Sequence, residues 1–412
     1  MPGKASGESS QMRATLWLVL AQALGLLIPL LTLPVLARAL GVAIFGQLML
    51  AHTVIFLGVL FVDAGFNTES QRRAAIAKDS TGSYQVLLDN LLARAICSLP
   101  VVILLLLAGY LFANLPLRLI LLSLPLLLGT LVFPQWWYIA GRRGFLMAVA
   151  ATGGRLISAM IIFLWVRTPE DVGLAAVAAT SASLMSGLML LPHWGKGLYR
   201  QRRQLHWQGW KPYLQAVRHA IFSGFFASAS ASLPLLALGF FSNALQTGWY
   251  ACADRLTRAA AYLLSAIEQS AMGWLAKKQE EDAVQGARIR TRLLQALALL
   301  LLPACLILAA LATSVLHLLY GQAFTTAAPI LQALAGWLYL YAIRRAALMF
   351  FWSARARLHT VAQIQWLEAI LVSSAAIFGA LSGSGLNTAI ALGVVEAILL
   401  TLMWVMQRRS ST

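Results

Sequence analysis

Acidic side chains are scarce in this sequence: 14 Asp+Glu stand among 412 residues, and charged residues of both signs make up only 11%. Soluble globular domains carry about 25%, so an ordinary water-soluble fold is excluded. Cysteine is as sparse. Cys97, Cys252 and Cys305 all lie in apolar stretches with no C-x-x-C pair, which argues against a disulfide framework or a thiolate metal site and leaves buried free thiols. No G-x-x-x-x-G-K-[ST], H-E-x-x-H or G-x-S-x-G pattern occurs. ATP hydrolysis by this chain is therefore not expected, and neither an enzyme activity nor a bound cofactor is suggested.

What fills the chain instead is apolar. Hydrophobic residues reach 60% and the mean hydropathy is +0.77. Apolar runs between charged or Gly/Pro/Asn punctuation fall near 14–37, 42–62, 86–112, 116–138, 146–166, 172–192, 217–241, 248–272, 293–319, 328–350, 361–381 and 388–406. Each approaches the ~20 residues a helix needs to cross the hydrocarbon core. The chain thus reads as an all-α polytopic membrane protein of about 12 transmembrane helices, with no room for a soluble catalytic domain. The run after the polar stretch Met1–Arg13 is too long for a signal-peptide core and contains Pro29 and Pro34, so it reads as the first span.

The formal net charge of +17 would point to nucleic acid in a soluble protein; here the bias of Lys and Arg toward cytoplasmic segments explains it, and no nucleic-acid partner is expected. With the N-terminus inside, 22 of the 31 Lys+Arg lie in cytoplasmic segments, Arg38, Arg118 and Arg167 lie outside, and Arg94, Arg155, Arg255, Arg258, Arg344 and Arg345 fall within spans. Both termini are then cytoplasmic. Two echoes suggest related halves: Leu33-Pro34-Val35-Leu36-Ala37 leads to Gly46 as Leu233-Pro234-Leu235-Leu236-Ala237 leads to Gly248, and Trp137 precedes Arg142 as Trp352 precedes Arg357. The expected organisation is a tail at 1–13, a six-helix lobe at 14–192, a basic Trp-rich cytoplasmic linker at 193–216, a second, pseudo-symmetric six-helix lobe at 217–406 and a tail at 407–412. Trp194, Trp207 and Trp210 interleave with cations in the linker, as in an interfacial connector on an anionic leaflet.

An Arg at mid-bilayer costs ~2.5–3.5 kcal/mol on insertion scales, so such residues usually face a bundle interior or a wet cavity. Arg155 follows Gly153 and Gly154 near the middle of its span, too deep to snorkel easily. Asp254, Arg258, Tyr262, Ser265 and Gln269 recur at spacings of three or four, one polar stripe on an apolar helix flanked by Arg255. The stripe can line water or substrate, and Asp254 can equally form an i, i+4 bridge with Arg258. Arg344 and Arg345 are either submerged or snorkelling, and snorkelling is favoured for Arg94. Glu368 and Glu396 either pair with these cations or carry a coupling proton. His52 reads as a packing residue. Six intramembrane arginines face four acids, Asp254, Glu268, Glu368 and Glu396, so the cavity should attract anions, and the Arg fork suits phosphate or pyrophosphate oxygens.

Several segments resemble the Wzx-type polysaccharide flippases of the multidrug/oligosaccharidyl-lipid/polysaccharide superfamily. These are the first hairpin from Leu31 through Pro34, Arg38 and Gly41 to Gly46, then Asp63-Ala64-Gly65-Phe66-Asn67, Pro134-Gln135-Trp136, Arg167-Thr168-Pro169-Glu170-Asp171, Gly248 to Arg255, and Tyr320 to Phe324 followed by Ala328 to Leu331. The resemblance implies two six-helix lobes around a central cationic cavity. Such a protein moves undecaprenyl-pyrophosphate-linked oligosaccharide units across the bacterial inner membrane, for O-antigen, capsule or exopolysaccharide synthesis, with membrane lipid and the polysaccharide polymerase of the pathway as partners. Arg38, Arg155, Arg255 and Arg258 are the residues it points to for the pyrophosphate, joined by Tyr262, Arg344 and Arg345. Asp254, Glu368 and Glu396 are the coupling candidates. The drive would come from the membrane potential or a proton or sodium gradient. Two rival readings are a multidrug or cation antiporter of the same fold, whose cavity should be acidic, and a membrane-bound polymerase, which would need a large external loop.

Overall fold

The computed structural model describes residues 3–409 apart from 78, 113–114, 142, 205, 208, 282 and 353–357, and side chains apart from those of 3–24, 26, 219–224, 226–228, 265–267, 269–274, 276–281, 283–284, 287, 352, 358 and 407–409. Ser265, Gln269, Arg142, Lys277, Lys278, the Trp352 to Arg357 echo and the side chains of both tails lie outside that description. Among the described residues every regular element is a helix. That is the economical answer for apolar sequence in lipid, where each backbone N–H and C=O must be satisfied within its own segment. Eight helical stretches are long and apolar enough to cross a membrane, or nine if the bent pair Pro169–Thr180 and Ala182–Gln201 is one span. The chain falls into two compact units, Met1–Leu40 with Gln47–Ala229 and Gly41–Gly46 with Ser230–Thr412.

The first helix, α1 (Gly3–Asp63), merges the first two expected spans and is broken at Gly41, whose φ of 73° and ψ of 169° leave the helical region. Left unbroken, it would run about 90 Å, three bilayer cores. Only glycine takes that φ without strain. In the first unit, α2 (Phe66–Ile76) follows a left-handed Gly65, and α3 (Ser80–Leu111) starts where the Asp79 side chain accepts from Gly82 N at 2.7 Å. The expected span 116–138 is three short helices, α4 (Leu117–Leu122), α5 (Pro125–Val132) and α6 (Gln135–Ala140). Pro125 and Pro134 lack an N–H, and each restarts the helix. Next comes α7 (Gly144–Trp165), then a turn in which Asp171 caps Thr168, followed by α8 (Val172–Thr180) and α9 (Ala182–Gln201). The backbone N–H groups of Arg167 and Thr168 hold the Asp171 carboxyl below its ordinary range. A Cβ on Gly154 of α7 would lie 2.8 Å from Ser186 N of α9, the close backbone approach that small residues permit between membrane helices.

The first unit ends later than the sequence suggested. The sequence pattern places α10 (Trp210–Ala229) from residue 217 in the second lobe, but Tyr213 and Val217 are buried against Phe66 and Ala93 of the first unit. The second unit contains α11 (Leu233–Phe241), α12 (Ala244–Glu281), α13 (Ala283–Ala310), α14 (Ala312–Tyr320), α15 (Ala328–Ala347), α16 (Leu358–Leu381) and α17 (Gly385–Arg409). The central helix is α15, packed by α12, α13 and α17. The two echo glycines meet here: a Cβ on Gly46 would strike Ala244 O and lie 2.7 Å from Gly248 N, and one on Gly248 would strike Val42 O. Their shared role is this crossing of backbones. Gly46→Ala or Gly248→Ala should therefore cost about 1–3 kcal/mol through overpacking, read as a lower melting temperature in detergent. An unchanged melt in both would contradict the contact.

Candidate functional site

About four turns into α12, Arg258 Nε donates to Asp254 Oδ2 at 2.7 Å, and the guanidinium sits 5.9 Å from the Trp337 ring centre. The i, i+4 bridge forms as the spacing allowed. Arg255 is half-buried and makes no hydrogen bond or ion pair with any described residue. Tyr262, one turn beyond Arg258, is 60% exposed, so the stripe changes from buried at Asp254 to exposed at Tyr262.

Arg344 and Arg345 are neighbours on α15, about 100° apart around the helix, and they serve different partners. Arg344, 1% exposed, donates through Nη1 to Glu368 Oε2 at 2.9 Å, through Nη2 to Glu368 Oε1 and through Nε to Glu396 Oε2. This is one arginine held between carboxylates from α16 and α17. Arg345 Nε donates to Glu268 Oε2 of α12 at 3.0 Å and its Nη1 to Tyr341 Oη at 3.0 Å. Neither arginine snorkels. Glu368 and Glu396 pair with Arg344, and Arg258, Arg344 and Arg345 all meet carboxylates of the protein. The Glu368–Arg344–Glu396 group holds two acids to one base.

In the first unit, Arg155 of α7 is half-buried with its guanidinium against α1, where a Cβ on Gly25 would lie 3.1 Å from Cζ. Arg38, three residues before the Gly41 break, is exposed. Arg94 does not snorkel either. It is 2% exposed, pairs with Asp63 at 2.7 Å, and donates to Asn67 Oδ1 at 2.7 Å and Thr130 O at 2.9 Å. Beside it Asn90 Nδ2 donates to Ser70 Oγ at 2.7 Å, and Ser70 is hydrogen-bonded to the buried Tyr213 hydroxyl. This network was not anticipated from the sequence. The signal was present in Asp63-Ala64-Gly65-Phe66-Asn67, whose Asp63 belongs with the acids that face buried arginines. Arg38 and Arg155 thus belong to the first unit, and Arg255, Arg258, Tyr262, Arg344 and Arg345 to the second. Among the described residues no His/Cys/Asp/Glu group could hold a metal ion, and the three cysteines are free thiols, Cys252 and Cys305 buried and Cys97 half-buried.

Helical units with arginines ion-paired inside apolar spans define a polytopic membrane protein, and solved structures bear the fold out. "Lipid II flippase MurJ, inward closed conformation" matches with a TM-score of 0.74 over 95% of this chain and 87% of that one, at 13% identity. A multidrug resistance MATE family transporter of the MOP superfamily, in an inward-facing conformation, matches with a TM-score of 0.68 over 93% and 95%, at 16% identity. Residues 12–279 match the family described as Polysaccharide biosynthesis protein, and the chain belongs to that family. A protein of Escherichia coli (strain K12) named "Putative O-antigen transporter" is 26% identical over 279 residues; the match spans 64% of this chain and 65% of that relative's length.

Removing one partner of a buried ion pair typically costs about 3–5 kcal/mol, because it leaves the other charge uncompensated. Arg344→Ala should accordingly lower the melting temperature of the purified protein sharply. The triple change Arg344→Leu with Glu368→Gln and Glu396→Gln should recover most of the loss. Wild-type melting of Arg344→Ala would contradict the buried assignment.

Proposed function

We propose that the chain is a flippase that moves polyprenyl (undecaprenyl) pyrophosphate-linked oligosaccharide units across the bacterial inner membrane by alternating access, with both termini cytoplasmic. Family membership, the name of the Escherichia coli relative and the flippase fold support this reading, and Arg255 is the observation that carries it. With Arg258 bound to Asp254 and both Arg344 and Arg345 bound to glutamates, Arg255 keeps its forked donors for a ligand among the described groups of the second unit. A pyrophosphate oxygen pair matches that fork. Arg155 and Arg38 are the corresponding candidates of the first unit. Such a protein moves its substrate without making or breaking a covalent bond.

A drug antiporter of this fold needs carboxylates open to a cationic compound. Here Asp254, Glu268, Glu368 and Glu396 each already face an arginine. The driving force we assign is the membrane potential, worth ~2.3 kcal/mol per charge per 100 mV. The Glu368–Arg344–Glu396 group and Asp254 are the places through which a proton or sodium gradient would act. The pathway's polymerase is the protein partner this function implies.

Arg255→Ala should abolish polymer assembly in a strain that depends on this chain, at an unchanged protein level. Arg255→Lys should restore only part, since a point charge lacks the fork. Full assembly with Arg255→Ala would remove the residue from the site.

A further inference from the structure

Between Asp171 and Asp254 the chain contains no acidic residue, yet Lys196, Arg200, Arg202, Arg203, Lys211 and Arg218 all fall in that stretch. All six are exposed. Two aromatic rings stand out beside them, Tyr199 at 66% and Trp207 at 61% exposure, and the Arg202 guanidinium stacks 3.7 Å from the Tyr199 ring centre.

The segment is not a slack tether, because its neutral side chains and its backbone clamp it to the first unit. Gln201 Nε2 donates to Ser80 Oγ at 3.1 Å, and Thr81 Oγ1 donates to Gln204 Oε1 at 3.2 Å. Gln85 grips both sides of one residue, its Nε2 donating to His206 O at 2.9 Å and its Oε1 accepting from His206 N at 2.8 Å. A Cβ on Gly209 would lie 2.7 Å from Asp89 Cγ, and Tyr213 closes the far end against Phe66 and Ser70. The neighbouring acids are engaged elsewhere: Glu69 with Arg72 and Arg73, Asp79 with Gly82 N, and Asp89, buried, with Gln85. Docking therefore falls to amides, hydroxyls and rings, and the cations are left facing outward.

We propose that this face of the first unit is a binding platform for anionic phospholipid headgroups. The apolar helices α9 and α10 lead into it and out of it, which holds it at the depth of the bilayer surface. Exposed Trp and Tyr favour that interface, and guanidinium groups match lipid phosphate. A nucleic acid or an acidic peptide would have no use for rings set at headgroup depth. The platform is independent of the cargo, so it stands or falls separately from the flippase reading.

The test uses the full-length protein, purified in detergent and examined by native mass spectrometry with phosphatidylglycerol or phosphatidylcholine added at equal concentration. Wild type should retain phosphatidylglycerol in preference, with the preference fading as salt rises. Arg202→Gln with Arg203→Gln should weaken phosphatidylglycerol retention about tenfold. Arg118→Gln with Arg167→Gln, which removes the same charge from other exposed positions of the first unit, should leave it within about twofold, since the attraction fades within a Debye length. Equal retention of the two lipids by wild type, or equal loss in the two double variants, would overturn the proposal. So would displacement of phosphatidylglycerol by stoichiometric polyprenyl pyrophosphate, which would reassign the face to the transported lipid.

Discussion

Arg344, wedged between Glu368 and Glu396, ties α15 to α16 and α17 with its guanidinium buried. A guanidinium in such a setting has to be met by carboxylates with good geometry, since its desolvation alone costs several kcal/mol. That constraint fixes which faces of three helices meet, and it repeats nearby where Arg345 holds Glu268 of α12. The sequence of the second unit can vary around these contacts, but the charges must stay matched.

The same constraint governs the first unit through Arg94 and Asp63, at the bend where α1 gives way to α2. Matching the buried charges pair by pair also changes the electrostatic picture. A bare count of six arginines against four acids makes the interior look strongly cationic. With Arg94, Arg258, Arg344 and Arg345 each set against carboxylates, the positive charge open to a ligand narrows to fewer places, of which Arg255 is the clearest. A site with few open forked donors suits a compact dianion better than a diffuse polyanion.

How much of this could be read from the chain depended on the distance over which the information travels. Apolar runs, the hairpin glycine at 41 and the Asp254–Arg258 bridge are local, and periodicity or spacing exposes them, whereas the breaks at Pro125 and Pro134 divide what reads as one span at 116–138. That Glu368 and Glu396 could pair with a buried arginine was legible from composition, but which arginine each acid meets, across 52 residues for Arg344–Glu396 and 77 for Arg345–Glu268, leaves no local trace. The Arg94 network and the Tyr213 contact with Ser70, 143 residues away, were invisible for the same reason. A hydrophilic linker and an amphipathic docking segment have similar composition, so the end of the first unit at Ala229 emerged only from packing. The echo between Gly46 and Gly248 was visible, but that the two glycines touch was not.

The central claim is that this chain carries a lipid-linked oligosaccharide through the bilayer. The most direct measurement is transport in vesicles holding the purified protein, with a fluorescent polyprenyl pyrophosphate oligosaccharide confined at the start to one leaflet and a glycosidase supplied on the opposite side. The account predicts protein-dependent cleavage of the sugar that is lost in Arg255→Ala vesicles containing equal protein. Cleavage no faster than in protein-free vesicles, together with uptake of a cationic dye by the same preparation, would contradict it and favour an antiporter.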